Sequence, residues 1–362
     1  MATRALVTGA NGFIGSHLVR ELLRRGLQVR GLVRGTSDLR ALQGLGLELV
    51  RGDVLDAGDL RAAMDGCELV FHAAAVYDYR ASEAARIEEV AVRGTAHALG
   101  AARDAGVRRL VLTGSSVIFG GGAGAQPRDE RGLGQAVDAI PYFQAKLRQD
   151  SEAFAQARAL GVELLAACPT VVVGPLDHRP TPSNGAILQY LHDPSRSTFA
   201  GGCNLVAAED VARGHVLVAE RGAPGERYVL GAENVTWALL HQLISELCGL
   251  PGPWLMAGRA SALVAGALWE AYGRIAGGGP YYDPTQARTV GRFYWYRHDK
   301  AAALGYAPRP ARAALAEAIA WLVRTPLVTN RLRRQLRLAD EVHEAWSRVE
   351  AWITPAAAGE AA

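Results

Sequence analysis

Thr8-Gly9-Ala10-Asn11-Gly12-Phe13-Ile14-Gly15 stands between a short apolar run, Ala5–Thr8, and a helical pattern at about 13–25. Glycines at this spacing allow a tight turn, close approach of the backbone to a pyrophosphate, and close contact between helix and sheet. The helix that follows offers N–H groups and the positive end of its dipole to phosphate. Because the triplet lies between a strand and an amphipathic helix at the start of the chain, it reads as a dinucleotide site, with Gly9, Asn11, Gly12, Phe13, Ile14 and Gly15 as contacts.

Beyond this turn, β-branched runs alternate with helical patterns. Strands are predicted at Ala5–Thr8, Gln28–Val33, Leu47–Arg51, Leu69–His72, Arg109–Thr113 and Glu163–Ala167. The first helix ends at Gly26, a left-handed cap. This rhythm predicts an α/β protein with a Rossmann-type doubly wound parallel sheet. Past residue 175 the alternation is broken by Pro175, Pro180 and Pro182, and aromatics gather at Trp254, Trp269, Tyr272, Tyr281, Tyr282 and Phe293–Tyr296. They suit either packing or an apolar substrate pocket. The expected division is a dinucleotide domain at 1–174 and about 205–230, and a smaller, mostly helical substrate domain at about 175–204 and 231–325. An amphipathic helix and tail occupy 326–362. Leu332, Leu336, Ala339, Val342, Trp346, Val349 and Ile353 form the apolar stripe of that helix, beside the basic run Arg331–Arg337. Packing on the protein's own body is preferred to a peripheral membrane contact or a partner surface. Gly120–Gly124 and Gly277–Gly279 read as mobile loops, the first at the carboxyl edge of the sheet.

Composition narrows the classes. The chain has 362 residues, 49% hydrophobic and 21% charged, with a formal charge of +3. That fits a globular protein of two or three domains and implies no nucleic-acid partner. Cys67, Cys168, Cys203 and Cys248 form no metal-ligand spacing with the nine His, so reduced thiols and no metal are expected. Leu255–Ala276 is interrupted by Arg259, Glu270 and Arg274 and makes a poor membrane span. With no signal-peptide pattern at the N-terminus, a cytoplasmic protein is expected.

Cofactor preference is read at the end of the second strand. An acidic residue there would bind the adenosine ribose hydroxyls and repel a 2′-phosphate; this chain has Arg34, with Arg40 further on. NADP(H) is therefore expected over NAD(H), which remains open. Gly52-Asp53-Val54 brings a carboxylate toward the adenine amino group or caps its own loop.

Tyr142 and Lys146 begin a helix at four-residue spacing, hence on one face. A free phenol titrates near 10, and an ammonium one turn away is expected to lower that value. The lysine stands out: 37 of the 39 basic residues are Arg, and only Lys146 and Lys300 are Lys. Thr113-Gly114-Ser115-Ser116, about 30 residues earlier, supplies a hydroxyl for a substrate oxygen.

The order of TGxxGxxG, Gly52-Asp53-Val54, His72-Ala73-Ala74-Ala75, Gly114-Ser115-Ser116, YxxxK and Pro169-Thr170-Val171-Val172-Val173-Gly174-Pro175 resembles the extended short-chain dehydrogenase/reductases. The resemblance covers residues 3–323, ending at Leu304–Pro310, and is nearest the dihydroflavonol-4-reductase-like and 3β-hydroxysteroid-dehydrogenase-like branch, including bacterial hopanoid-associated sugar epimerase-like proteins. It implies Tyr142 as proton donor and acceptor, Lys146 as its partner and ribose ligand, and Ser115, in preference to Ser116, as substrate hydrogen-bond donor. It also implies cofactor contacts at Asp53, Val54, Ala73, Ala74, Ala75, Thr113, Pro169 and Val172, a helix cap at Asp210, and a homodimer through a four-helix contact. Ala91, Cys168 and Ala207 depart from the family's Asn, Asn or Arg, and His.

Three functions follow for test. The first is NADP(H)-dependent hydride transfer to or from a lipophilic ketone, aldehyde or secondary alcohol. The second is an NAD-retaining epimerase or dehydratase of sugar nucleotides. The third is a non-catalytic dinucleotide sensor that binds a partner.

Overall fold

The structure is a computed structural model and describes residues 3–258 and 289–354. Among the described residues thirteen strands run β1 (Arg4–Thr8), β2 (Gln28–Val33), β3 (Glu48–Arg51), β4 (Leu69–His72), β5 (Arg109–Thr113), β6 (Glu163–Pro169), β7 (Val171–Val173), β8 (Ser197–Phe199), β9 (Gly202–Ala207), β10 (Arg227–Leu230), β11 (Glu233–Thr236), β12 (Leu255–Ala257) and β13 (Phe293–Tyr294). Seven of them build a parallel sheet in the order β10-β6-β5-β4-β1-β2-β3. The chain reverses direction across the sheet between β1 and β4, and the crevice opens at their carboxyl ends.

Alternation along the central strands explains the two covered faces. Leu6, Val70, Leu110 and Leu112 join one core, whereas Ala5, Val7, Phe71 and Val111 join the other. On one face lie α2 (Ala57–Met64), α3 (Ala84–Glu88), α4 (Gly94–Asp104) and α5 (Pro141–Leu160), while α1 (Phe13–Arg24) packs on the other. Gly26 closes α1 at φ 75°, the left-handed cap read from the sequence. The six strands read from the sequence are present, and β10 is added at the edge, anchored by Arg227 on Asp150.

The remainder holds α6 (Pro182–His192) and α8 (Trp237–Cys248), α9 (Ala311–Leu322), a small sheet of β11, β9 and β13 with β7 beside β9, and the pair β12 and β8. Between them, α7 (Ala208–Arg221) returns to the sheet against α1. Asp210 does not cap α7: the N-cap position is Ala207, and the buried Asp210 carboxylate instead accepts from the Arg309 backbone N–H and guanidinium.

The single tail helix read from the sequence is two helices, α10 (Asn330–Gln335) and α11 (Asp340–Ile353). Between them Arg337 and Ala339 donate backbone N–H bonds of 2.8 and 3.0 Å to Cys248 and Leu247, satisfying carbonyls at the end of α8. Those bonds outweigh helical continuity. The apolar stripe still faces the protein: Leu332, Leu336, Val342, Ala345 and Val349 are buried. Trp352 stacks on His17 of α1 at 5.7 Å and donates to its Nδ1 at 2.8 Å.

The Gly120–Gly124 loop is pinned rather than free. Gly122 exchanges backbone bonds with Phe293, and the Tyr296 hydroxyl donates to the Gly120 carbonyl at 3.0 Å. Trp269, Tyr272, Tyr281, Tyr282, Gly277–Gly279 and most of Leu255–Ala276 lie outside the described residues. Among the described residues no helix is long and apolar enough to cross a membrane.

Candidate active site

The β1–α1 turn is shaped by what its glycines exclude. Gly9 sits at φ 66°, and a Cβ there would lie 2.8 Å from the Cα of Ala74; at Gly15 a Cβ would lie 2.1 Å from the Gly9 carbonyl oxygen. Only hydrogen side chains let the turn, helix and β4 loop meet. Thr8 fixes the opposite wall: its hydroxyl bonds His72 Nδ1 at 2.9 Å and accepts from the Ala74 N–H at 3.2 Å. Burial lowers the His72 pKa to about 3, keeping the ring neutral.

A cleft of about 930 Å³ opens above this turn, lined by Gly9, Asn11, Gly12, Arg34, Asp53, Val54 and Ala73–Ala75. Gly15 and Ile14 lie behind it, and Phe13 packs on His17 with ring centroids 5.6 Å apart. Asp53 lines the cleft and also closes its own turn, accepting from Leu55 N–H at 3.0 Å. The cradle and its volume fit a dinucleotide.

Arg34 and Arg40 part company in the structure. Arg40 is paired with Asp38, Nη2 to Oδ2 at 2.6 Å, whereas Arg34 is exposed and has no ion pair among the described residues. Ser37, which the sequence reading missed, joins Arg34 on the wall and accepts from its backbone N–H at 3.1 Å. Also missed was the far wall, Ala85–Arg93, where Glu89–Arg93 forms one π-helical turn. No local pattern marks that segment, because a π turn uses ordinary helix residues.

At the carboxyl ends of β5 and β6, the other candidates converge. Ser115 is extended just beyond β5, and its hydroxyl acts on Tyr142 near the start of α5 to lower its pKa; Ser116 acts in the same sense on Tyr296. Lys146 is 4% exposed and donates from Nζ to the Thr113 carbonyl at 3.0 Å and to Gln149 Oε1 at 2.9 Å. Burial lowers its pKa to about 8. Pro169 ends β6 opposite Leu230, and Val172 pairs with Val206.

The expected acidification of the phenol is not found. Burial, followed by the neighbouring Tyr77, raises the Tyr142 pKa above its ordinary value, and the Ser115 bond only partly opposes this. The Lys146 ammonium is committed to Thr113 and Gln149 instead.

Aromatic rings enclose Tyr142. Tyr77 and Tyr79 lie 5.0 and 5.7 Å from it between centroids, their hydroxyls 3.1 Å apart, and Phe143 carries the cluster to Tyr294 at 5.7 Å. Tyr77 and Tyr79 alternate in sequence just beyond β4, but only the fold brings them onto α5.

A model of the NAD dependent epimerase/dehydratase family matches residues 5–231. A candidate dihydroflavonol 4-reductase of Synechocystis sp. is 37% identical over 258 residues, covering 70% of this chain and 75% of that protein. Sterol demethylase protein B of Methylococcus capsulatus is 34% identical over 250 residues, covering 69% and 76%. Among solved structures, a nucleoside-diphosphate-sugar epimerase from Pseudomonas aeruginosa superposes with a TM-score of 0.72 at 26% identity, covering 89% of this chain and 98% of that one. With the strand order and the Gly9–Gly15 turn, these matches show that the chain belongs to the NAD-dependent epimerase/dehydratase family of extended short-chain dehydrogenase/reductases.

Proposed function

We propose that this protein is an NADP(H)-dependent reductase of a ketone or aldehyde carried on a lipophilic small molecule. The observation that supports the reading is that Ser115, Tyr142 and Lys146 are all buried, just beyond β5 and in the first turns of α5, in a fold that also carries a cleft with a glycine cradle. Gly9, Asn11 and Gly12 would hold the pyrophosphate, Asp53 and Val54 the adenine, and Lys146 the nicotinamide ribose. The bound nicotinamide supplies the hydride for the carbonyl carbon. Tyr142 gives its hydroxyl proton to the substrate oxygen as that oxygen becomes negative, and Ser115 donates a hydrogen bond to it. Lys146 keeps one ammonium hydrogen for the ligand side, its other two being held by Thr113 and Gln149.

Arg34 supports NADP(H). Arg34, which has no ion pair among the described residues, lines the cleft together with Ser37 and suits a 2′-phosphate, and Arg40 is already neutralised. The lipophilic substrate is supported by the rings of Tyr77, Tyr79, Phe143 and Tyr294 and by a relative named for a sterol. Tyr142→Phe is expected to keep NADPH binding, followed by fluorescence, while NADPH oxidation with lipophilic ketones and aldehydes falls about 10²–10⁴-fold. Full turnover in that variant would remove the acid role.

The similarity to a sugar-nucleotide epimerase favours a second reading, in which the cofactor is retained and regenerated. Purified protein carrying tightly held NAD, with no net redox change on a sugar nucleotide, would select it.

A further inference from the structure

The proposed reaction depends on where the Lys146 ammonium is held, and the holding group is a side chain outside the Ser–Tyr–Lys set. Gln149 lies one turn beyond Lys146 on α5 and is 2% exposed. Its Oε1 accepts from Lys146 Nζ at 2.9 Å, and its Nε2 donates to Thr95 Oγ1 on α4 at 2.8 Å. Both ends of the amide are therefore used, so it has one orientation, acceptor toward the lysine.

Resting on the reading above, we propose that Gln149 is the positioning residue of this site, fixing the Lys146 ammonium through an amide bridge to Thr95. The Thr113 carbonyl takes a second ammonium hydrogen at 3.0 Å, which leaves one of three for the ligand side.

An acceptor on an ammonium favours the charged form, so losing it should make Lys146 easier to deprotonate. The other groups facing the ammonium are Asp150 on its own helix, itself paired with Arg227 of β10, the Cys168 thiol of β6, and the neutral His72 of β4. None bonds the ammonium directly among the described residues.

The test exploits composition. With only two lysines, protein labelled with ¹³C-lysine gives two ε-methylene signals, and Lys300, paired with Glu226, is the internal reference. Gln149→Leu should lower the Lys146 midpoint by about half a pH unit or more, and Gln149→Glu should raise it. Thr95→Val, which frees the far end of the bridge, should give a smaller shift in the Leu direction and stands in if Gln149→Leu does not fold. In NADPH-dependent turnover the Leu variant should lose about tenfold in kcat, its basic limb moving to lower pH, with recovery in the Glu variant. Midpoints equal to the parent in folded variants, or an unshifted pH profile, would overturn the proposal. Because the NMR titration needs no substrate, it separates this result from Tyr142→Phe: an active Tyr142→Phe sinks the reductase reading, whereas unmoved lysine signals sink the role of Gln149.

Discussion

Gly9 and Gly26 share a left-handed backbone, φ 66° and 75°, but of the two only Gly9 lines the cleft. Replacing each by Ala separates backbone strain from the cradle itself. An L-residue in that region costs about 1–2 kcal/mol, of which roughly 0.4–1 kcal/mol is returned by stiffening the unfolded chain. Around Gly26 nothing lies within 4 Å of the added carbon, so Gly26→Ala should lose about 1.6 kcal/mol at most. At Gly9 the same carbon meets Ala74 Cα, Ala74 N and Ala73 C at 2.8, 2.9 and 3.0 Å, all backbone of the opposite wall. Forcing these apart should cost a further 1–3 kcal/mol, as overpacking does, and displace the cradle. Urea unfolding and NADPH titration of both variants provide the check. Gly26→Ala should bind NADPH within about twofold of the parent, whereas Gly9→Ala should weaken it by at least about tenfold, or 1.4 kcal/mol. Parent-like affinity in Gly9→Ala would refute the assignment of this turn as the cradle, and equal binding loss in both would show that strain alone is at work.

Arg34→Ala should weaken NADPH by about tenfold or more and leave NADH almost unchanged, since only one cofactor carries the 2′-phosphate; equal losses in paired titrations would withdraw the NADP(H) preference. Trp352→Ala should cost about 3–5 kcal/mol in urea unfolding, because the ring is buried against His17 and under the Arg24 guanidinium at 4.0 Å; a loss below about 1 kcal/mol would show that the tail is only loosely docked. The Lys146 pKa falls from 10.5 to about 8 in the fold, so between those values the unfolded chain holds a proton that the folded one has released. Stability should therefore gain up to about 3 kcal/mol from this group as pH rises from 8 to 10.5. Lys146→Met should lack that gain in unfolding curves measured across the range.

What the sequence determined by itself was local. The Gly9–Gly15 turn, the β-branched runs, the Gly26 cap and the Tyr142–Lys146 spacing are legible because each is set by residues within a few positions of one another. The same locality marks Arg34, at the end of the second strand, as a cofactor candidate. Tertiary structure alone decided everything that one element does to another. It turned the Lys146 ammonium to Thr113 and Gln149 and raised the Tyr142 pKa by burial. It added β10 to the sheet edge, set Tyr77 and Tyr79 against α5, and split the tail where the end of α8 offered carbonyls. Periodicity records which face of an element is apolar; which buried polar group meets which donor depends on distances across the core, and no run of neighbouring residues encodes them.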